Sequence, residues 1–419
     1  MAPSIWRIGL LLLAFQATRI LATVVHGDEW QVEEHAHKRV QVVAILPGPH
    51  KTGTSTFQSE LSAKFRAHHP ALANWSWPVP SPEIWNKHLK DNESSYPFAF
   101  AKGHALLASR LMGQVDIFPQ IPLEPVLQAY RETLQQDWEA GKNLILAAEH
   151  LDALASEFLP SSTAGWELQQ QHANNYTQTG SQLLWKRIQD ILPSHPAIQR
   201  KIIGGVFYRE SKTDHLISLC HQIDRNGDTR LSDCILSDHK FKNYHYWLNG
   251  LKLAQVLQEN NVDEVYILNT AGLERANNQS PGILSSLDLV VACEMMQVPC
   301  HRTALGQWHL QGDPITTTHR RVEPDRLNVQ QSHGLERIDL NQTTLQSIDQ
   351  ILKEYDCQVA EKYLNQERTT IRYLYFEAPF VRECSRWMTQ QLEPVFLPVV
   401  DRVQSIVFDA VYGHMWDEL

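Results

Sequence analysis

A lysine set between two glycines and followed by a row of hydroxyls is the part of this sequence best equipped for chemistry. Pro47–Thr56 reads PGPHKTGTST. Gly48 and Gly53 let the backbone turn its amides toward a ligand. Lys51 brings a positive point charge, and Thr52, Thr54, Ser55 and Thr56 bring hydroxyls. A helix starting near Thr54 would add the partial positive charge of its N-terminus. Together these make a cradle for phosphate or a similar oxyanion. The same composition also suits an ordinary Gly/Pro/Ser turn with a helix cap. It is not a Walker A loop, in which lysine directly follows the second glycine. Here Lys51 precedes Gly53, which argues against an ATPase or GTPase.

Two further groups could act with that cradle. Lys201–Gln222 reads KIIGGVFYRESKTDHLISLCHQ, an apolar run ending in Tyr208-Arg209 with Ser218 downstream. A planar guanidinium can donate two parallel hydrogen bonds to a fixed phosphate; read alone, Arg209 is a surface residue at a strand end. Asn143–Leu151 (NLILAAEHL) puts Glu149, then His150, at the end of another apolar run. A carboxylate or imidazole there could take a proton as general base, and His104 and His50 are further candidates. Asp224–Asp228 (DRNGD) matches the first positions of a calcium loop, but Thr229 and Ile235 stand where that loop needs Gly and Glu. It reads as a polar turn, and no metal is expected.

The elements that must position these groups alternate. Arg39–Leu46 is a Val/Ile-rich run suited to a strand buried on both faces. Phe57, Leu61 and Phe65 mark one face of a helix beginning near Thr54. Val126, Tyr130, Leu134 and Trp138 mark another over Pro125–Ala140, with Gly141 as its stop. Asn143–Ala147, Lys201–Tyr208 and Val265–Leu268 read as strands, and the paired glycines Gly204 and Gly205 suggest close backbone approach. Trp247–Glu259 and Gln346–Asn365 read as helices, Thr370–Phe376 as a strand, and Leu287–Ala292 as either. Strand–helix alternation predicts an α/β fold with a central, mostly parallel sheet. The stretches near 68–95 and 157–179 read as loop insertions on one domain spanning 38–419.

The string GPHKTGTST resembles the 5′-phosphosulfate loop of the sulfotransferase superfamily, whose donor is 3′-phosphoadenosine-5′-phosphosulfate (PAPS). It is most similar to the carbohydrate sulfotransferases and their algal and bacterial relatives. The resemblance implies a P-loop-like three-layer fold with helices on both faces of the sheet. It implies that Lys51 contacts the bridging oxygen of the donor, within a cradle of Gly48, Thr52, Gly53, Thr54, Ser55 and Thr56. Tyr208-Arg209 followed by Ser218 is similar to the family's second element, which grips the 3′-phosphate. The gap between them is nine residues, one longer than the family's usual spacing, so Ser211 stays an alternative to Ser218. Glu149 is the first candidate for the base, and His50 would position the sulfuryl group or the acceptor. Leu287–Cys300 (LDLVVACEMMQVPC) resembles a late family helix whose cysteines pair, which implies a Cys293–Cys300 disulfide rather than two reduced thiols. The implied activity is sulfuryl transfer to a hydroxyl or amine of a carbohydrate or glycan. The alternative is a secreted, non-catalytic nucleotide- or glycan-binding protein on the same fold.

Composition bounds these readings. The 419 residues are 43% hydrophobic and 20% charged, with a net charge of −10. This is globular composition, and without a basic tract nucleic acid is not an expected partner. Met1–Arg7, the apolar run Ile8–Phe15 and a small-residue exit near Ala22 read as a signal peptide over residues 1–22. Membrane contact is expected only if that segment is kept as an anchor. Six cysteines and sequons at Asn74, Asn92, Asn175, Asn278 and Asn341 point to the secretory lumen, either Golgi or endoplasmic reticulum, or to secretion. The ending Trp416-Asp417-Glu418-Leu419 resembles a retrieval signal with its first position changed.

Overall fold

A run of apolar residues as long as Arg39–Pro47 (β1) has to be covered on both sides, and it is. The structure is a computed structural model that describes residues 38–48, 54–89, 104–112, 123–155, 180–223, 230–237, 248, 250–279, 286–303, 308–313, 338–364, 369–376, 384 and 396–412. Compactness divides the chain into Met1–Arg39 and Val40–Leu419. After β1 come α1 (Thr54–Arg66), the two-residue strand β2 (Trp75–Ser76), α2 (Pro82–His88), α3 (Ala105–Leu111), α4 (Leu123–Glu139) and β3 (Asn143–Ala148). A 3-10 turn over Glu149–Ala155 precedes α5 (Gly180–Ile191), β4 (Ile198–Tyr208), α6 (Lys212–Ile223), α7 (Leu231–Leu236) and α8 (Gly250–Glu259). Next are β5 (Glu264–Asn269), α9 (Thr270–Gln279) and α10 (Leu287–Val290), which runs on as a π turn over Val291–Met295. The antiparallel pair β6 (Cys300–Arg302) and β7 (Trp308–Leu310), then α11 (Gln342–Val359), β8 (Thr370–Leu374) and α12 (Phe396–Tyr412) complete the described strands and α-helices.

Six strands form one sheet in the order β2-β3-β1-β4-β5-β8. The pairings of β1 with β3, β2 with β3, β4 with β5 and β5 with β8 are all parallel. Alternate residues of each strand enter opposite layers. Val43, Ile45, Leu144, Leu146, Val206 and Ile267 pack with α3, α4, α5, α8 and α11. Ala44, Leu46, Ile145, Phe207 and Leu268 pack with α1 and α10. The three-layer α/β fold read from the sequence is therefore the one that forms. Val126, Tyr130, Leu134 and Trp138, the predicted stripe of α4, have no exposure, and each such side chain contributes about 1.5–3 kcal/mol of burial. Gly141 ends that helix at φ 81°.

The structure departs from the sequence reading in places. The segment near 68–95, read as an insertion, supplies edge strand β2 and helix α2, whose Trp85 is fully buried in the core. Ser81 caps α2 by accepting from the Ile84 amide at 3.3 Å. Leu287–Ala292, left between strand and helix, is helical. The late helix starts four residues before its expected Gln346, because Asn341 caps it by accepting from the Thr344 amide at 2.9 Å. Residues 157–179, the N-terminal 1–22, Asp224–Asp228 and Trp416–Leu419 lie outside the described residues.

Three disulfides join Cys220 to Cys234, Cys293 to Cys300 and Cys357 to Cys384. Cys293–Cys300 is the pairing that the resemblance implied. A bridge across 14 residues stabilises by about 3 kcal/mol through the entropy it removes from the unfolded chain. Three of them suit an oxidising compartment. Among the described residues no helix is long and apolar enough to cross a membrane.

The paired glycines of β4 sit where backbone and side chains approach closely. A Cβ on Gly205 would lie 2.1 Å from Met295 Cε and 2.5 Å from Leu46 Cδ2, both in the packed layer under α1 and α10. Gly205→Ala is expected to lower stability by about 1–3 kcal/mol through overpacking, read as a drop in the thermal unfolding midpoint.

Candidate functional site

From β1 the chain builds β2 and β3 on one side of the sheet, then returns past β1 to lay down β4, β5 and β8 on the other. The helices that follow β1 and β4 leave on opposite faces: α1 packs through Phe57 and Leu61 on one, α6 through Leu216 and Leu219 on the other. A crevice opens between such strands at their C-terminal ends, which is where open α/β sheets bind ligands. Pro47 of β1 is level with Ala148 of β3, and Tyr208 of β4 with Asn269 of β5. Gly48, Glu149, Arg209 and Thr270 thus follow directly on four neighbouring strand ends.

The described ends of the two predicted groups lie at this edge. Gly48 is buried where β1 ends, and the backbone of Thr54, Ser55 and Thr56 forms the first turn of α1. His50, Lys51, Thr52 and Gly53 lie outside the described residues. Phe57, next in α1, is fully buried against Phe207 of β4, with ring centroids 4.9 Å apart. That contact holds the first turn of α1 to the end of the strand that carries Arg209.

Arg209 and Ser218 come together despite the longer gap: Arg209 Nη1 donates to Ser218 Oγ at 3.1 Å. Both are half-buried. Burial lowers the Arg209 pKa, while Asp214 and Glu274 pull it upward; guanidinium basicity leaves it charged. Ser211 is engaged elsewhere. Its Oγ accepts from the Asp214 amide at 3.3 Å, so it caps α6. Glu149 opens the turn after β3, and His150 is half-buried beside it. His104 does not remain a candidate base. It is 1% exposed and stacked on Trp77, its Nδ1 accepts from the Ala147 amide at 3.1 Å, and Nε2 donates to the Pro78 carbonyl at 3.0 Å. Both ring nitrogens serve the fold.

Several polar residues at this edge escaped the sequence reading. Glu210 accepts from Asn269 Nδ2 at 3.2 Å and pairs with Arg275 at 2.8 Å. Gln58 lies one turn along α1 from Thr54, is 2% exposed, and its Nε2 has no partner among the described residues. Lys212 is 1% exposed although it opens α6. Its helical spacing with Leu216 and Leu219 was the available signal. Among the described residues no cluster of His, Cys, Asp or Glu could hold a metal.

The far side of α1 is fastened by charge. Lys64 pairs with the fully buried Asp288 of α10, and Glu60 hydrogen-bonds the same carboxylate. Burial, then that bond and the repulsion from Asp288, raise the Glu60 pKa from 4.5 to about 7. Burial lowers that of His104 from 6.5 to about 4. Their linkage to stability has opposite signs. Between pH 4.5 and about 7 the folded state holds a proton on Glu60 that the unfolded chain has released, so stability falls as pH rises. The His104 contribution is complete above 6.5 and is lost as pH falls toward about 4. The two offset each other in the overlap. Glu60→Gln removes the first, and is expected to lose more stability than the wild type on acidification from pH 7 to 4.5, measured by thermal unfolding across that range.

Comparison of the chain with protein-family models, with curated proteins and with solved structures finds no match.

Proposed function

We propose that this chain is a luminal sulfotransferase that moves a sulfuryl group from PAPS to a hydroxyl or amine of a carbohydrate acceptor. The observation that carries the reading is the Arg209–Ser218 pair, joined at 3.1 Å at the end of β4. Beside it β1 runs into the lysine-containing segment, across the crevice between oppositely directed helices. A guanidinium fork next to a hydroxyl fits the oxygens of a phosphate monoester. A net charge of −10 makes such local positive charge necessary for any anionic ligand.

In this reading the acceptor loses its proton, its oxygen or nitrogen bonds to sulfur, and the bond from sulfur to the 5′-phosphate oxygen breaks. The product of the donor is 3′-phosphoadenosine-5′-phosphate. Lys51 stabilises the leaving oxygen, with the amides and hydroxyls from Gly48 to Thr56 around the phosphate. Arg209 and Ser218 hold the 3′-phosphate. Glu149, at the strand end next to β1, takes the acceptor proton, and His50 positions the sulfuryl group or the acceptor. The disulfides fit the secretory lumen, and the signal-like N-terminus agrees with that address.

Calorimetry with 3′-phosphoadenosine-5′-phosphate tests the donor site. The wild type is expected to bind, and Arg209→Ala to bind roughly 10–100-fold more weakly, the loss of a charge-assisted hydrogen bond. Lys51→Ala is expected to cut transfer by about 10²–10³-fold, read by mass spectrometry of a mixed glycan library incubated with labelled PAPS. No binding by the wild type would sink the proposal. Binding without transfer to any glycan would leave a nucleotide-binding protein.

A further inference from the structure

We infer that the buried ion pair between Lys212 of α6 and Asp356 of α11 is a positioning device for Arg209 and Ser218, and so for the 3′-phosphate of the donor. The inference rests on the donor site proposed above.

Arg209 leaves the strand and Ser218 sits inside α6, so their separation depends on where α6 starts relative to the end of β4. Contacts from α11 set that start. Lys212 Nζ lies 2.5 Å from Asp356 Oδ2 and 3.4 Å from the Leu248 carbonyl oxygen. It also lies 4.3 Å from the ring centroid of Tyr208, the residue before Arg209. The Tyr208 hydroxyl bonds to the same Asp356 carboxylate. Seven residues earlier on α11, Asp349 accepts from the Lys212 amide at 2.9 Å and the Thr213 amide at 3.2 Å. One helix thus holds the side chain and the backbone of the first turn of α6, together with the last residue of β4.

Both halves of this grip are braced covalently. Cys220, two residues past Ser218, is bonded to Cys234, and Cys357, next to Asp356, is bonded to Cys384.

A stability role alone does not account for the pair. Asp356 and Lys212 are each 1% exposed, and burial raises the Asp356 pKa even with Lys212 beside it. Desolvation thus weighs against the attraction, and an apolar pair of similar volume would hold these helices about as well. What an apolar pair lacks is direction. An ammonium shared by a carboxylate, a carbonyl and a ring face fixes the rotation of α6, and with it the approach of Ser218 to Arg209.

The test compares affinity for 3′-phosphoadenosine-5′-phosphate with affinity for adenosine 5′-phosphate, which lacks the 3′-phosphate. The wild type is expected to prefer the first. In the double variant K212M/D356L that preference is expected to drop by about tenfold or more. Adenosine 5′-phosphate binding and the thermal midpoint should stay near wild type. A purely structural role would weaken both nucleotides alike. A folded double variant that keeps the full preference overturns the inference. Should it fail to fold, Asp356→Asn decides: it keeps the size of the side chain and removes the charge that holds Lys212. Loss of 3′-phosphate preference in D356N supports the inference, and an unchanged preference overturns it. A wild type with no preference at all would defeat the donor site itself, and this inference with it.

Discussion

A parallel sheet with both faces apolar leaves its chain few places to be polar. Here β1, β3, β4 and β5 deliver alternate side chains into two buried layers, so groups able to face a ligand are confined to the strand ends and the first turns after them. The return of the chain past β1 then sends α1 and α6 to opposite faces and separates the segments that follow β1 and β4. The meeting of Arg209 and Ser218, the start of α1 near Phe207 and the emergence of Glu149 beside Gly48 all follow from that one constraint.

Charge at this edge and beneath α1 is placed under solvent restriction. Arg209 is half-buried, Lys212 fully so, and Asp288 has no exposure beneath α1. An acidic chain attracts an anion only through such local arrangements. The cost of desolvating them is offset by specific partners: Asp356 and the Tyr208 ring for Lys212, Lys64 and Glu60 for Asp288. Where desolvation weighs against pairing, as at Asp356, geometry rather than net stability is the gain.

The fold was legible because its signals are local and repeated. The apolar runs of β1, β3, β4 and β5 and the helical stripe from Val126 to Trp138 each need only a few neighbours in sequence to be read. Gly141 and the paired glycines of β4 announced a helix end and a close approach. Edge strand β2, two residues long, and helix α2 were not legible, because Trp, Pro and Asn content resembles a loop until Trp85 finds a core to enter. At the candidate site the glycine-flanked lysine and the strand-end arginine were visible by type and position. Lys212 was not, since a lysine on a helix is ordinarily solvated, and its partner Asp356 is 144 residues away by their numbering.

What the residues showed unaided is the alternation of elements, the α/β class with its mostly parallel sheet, and the even set of cysteines. These depend on periodicity and residue chemistry within short windows. Which strand lies beside which, which cysteines meet beyond Cys293 and Cys300, and that Ser218 rather than Ser211 faces Arg209 were decided only when the chain was packed. The same holds for His104, committed to the fold, and for Lys212, drawn inside. Each depends on a distance between residues far apart in sequence, and such distances exist only once α11, α6 and the sheet have closed on one another.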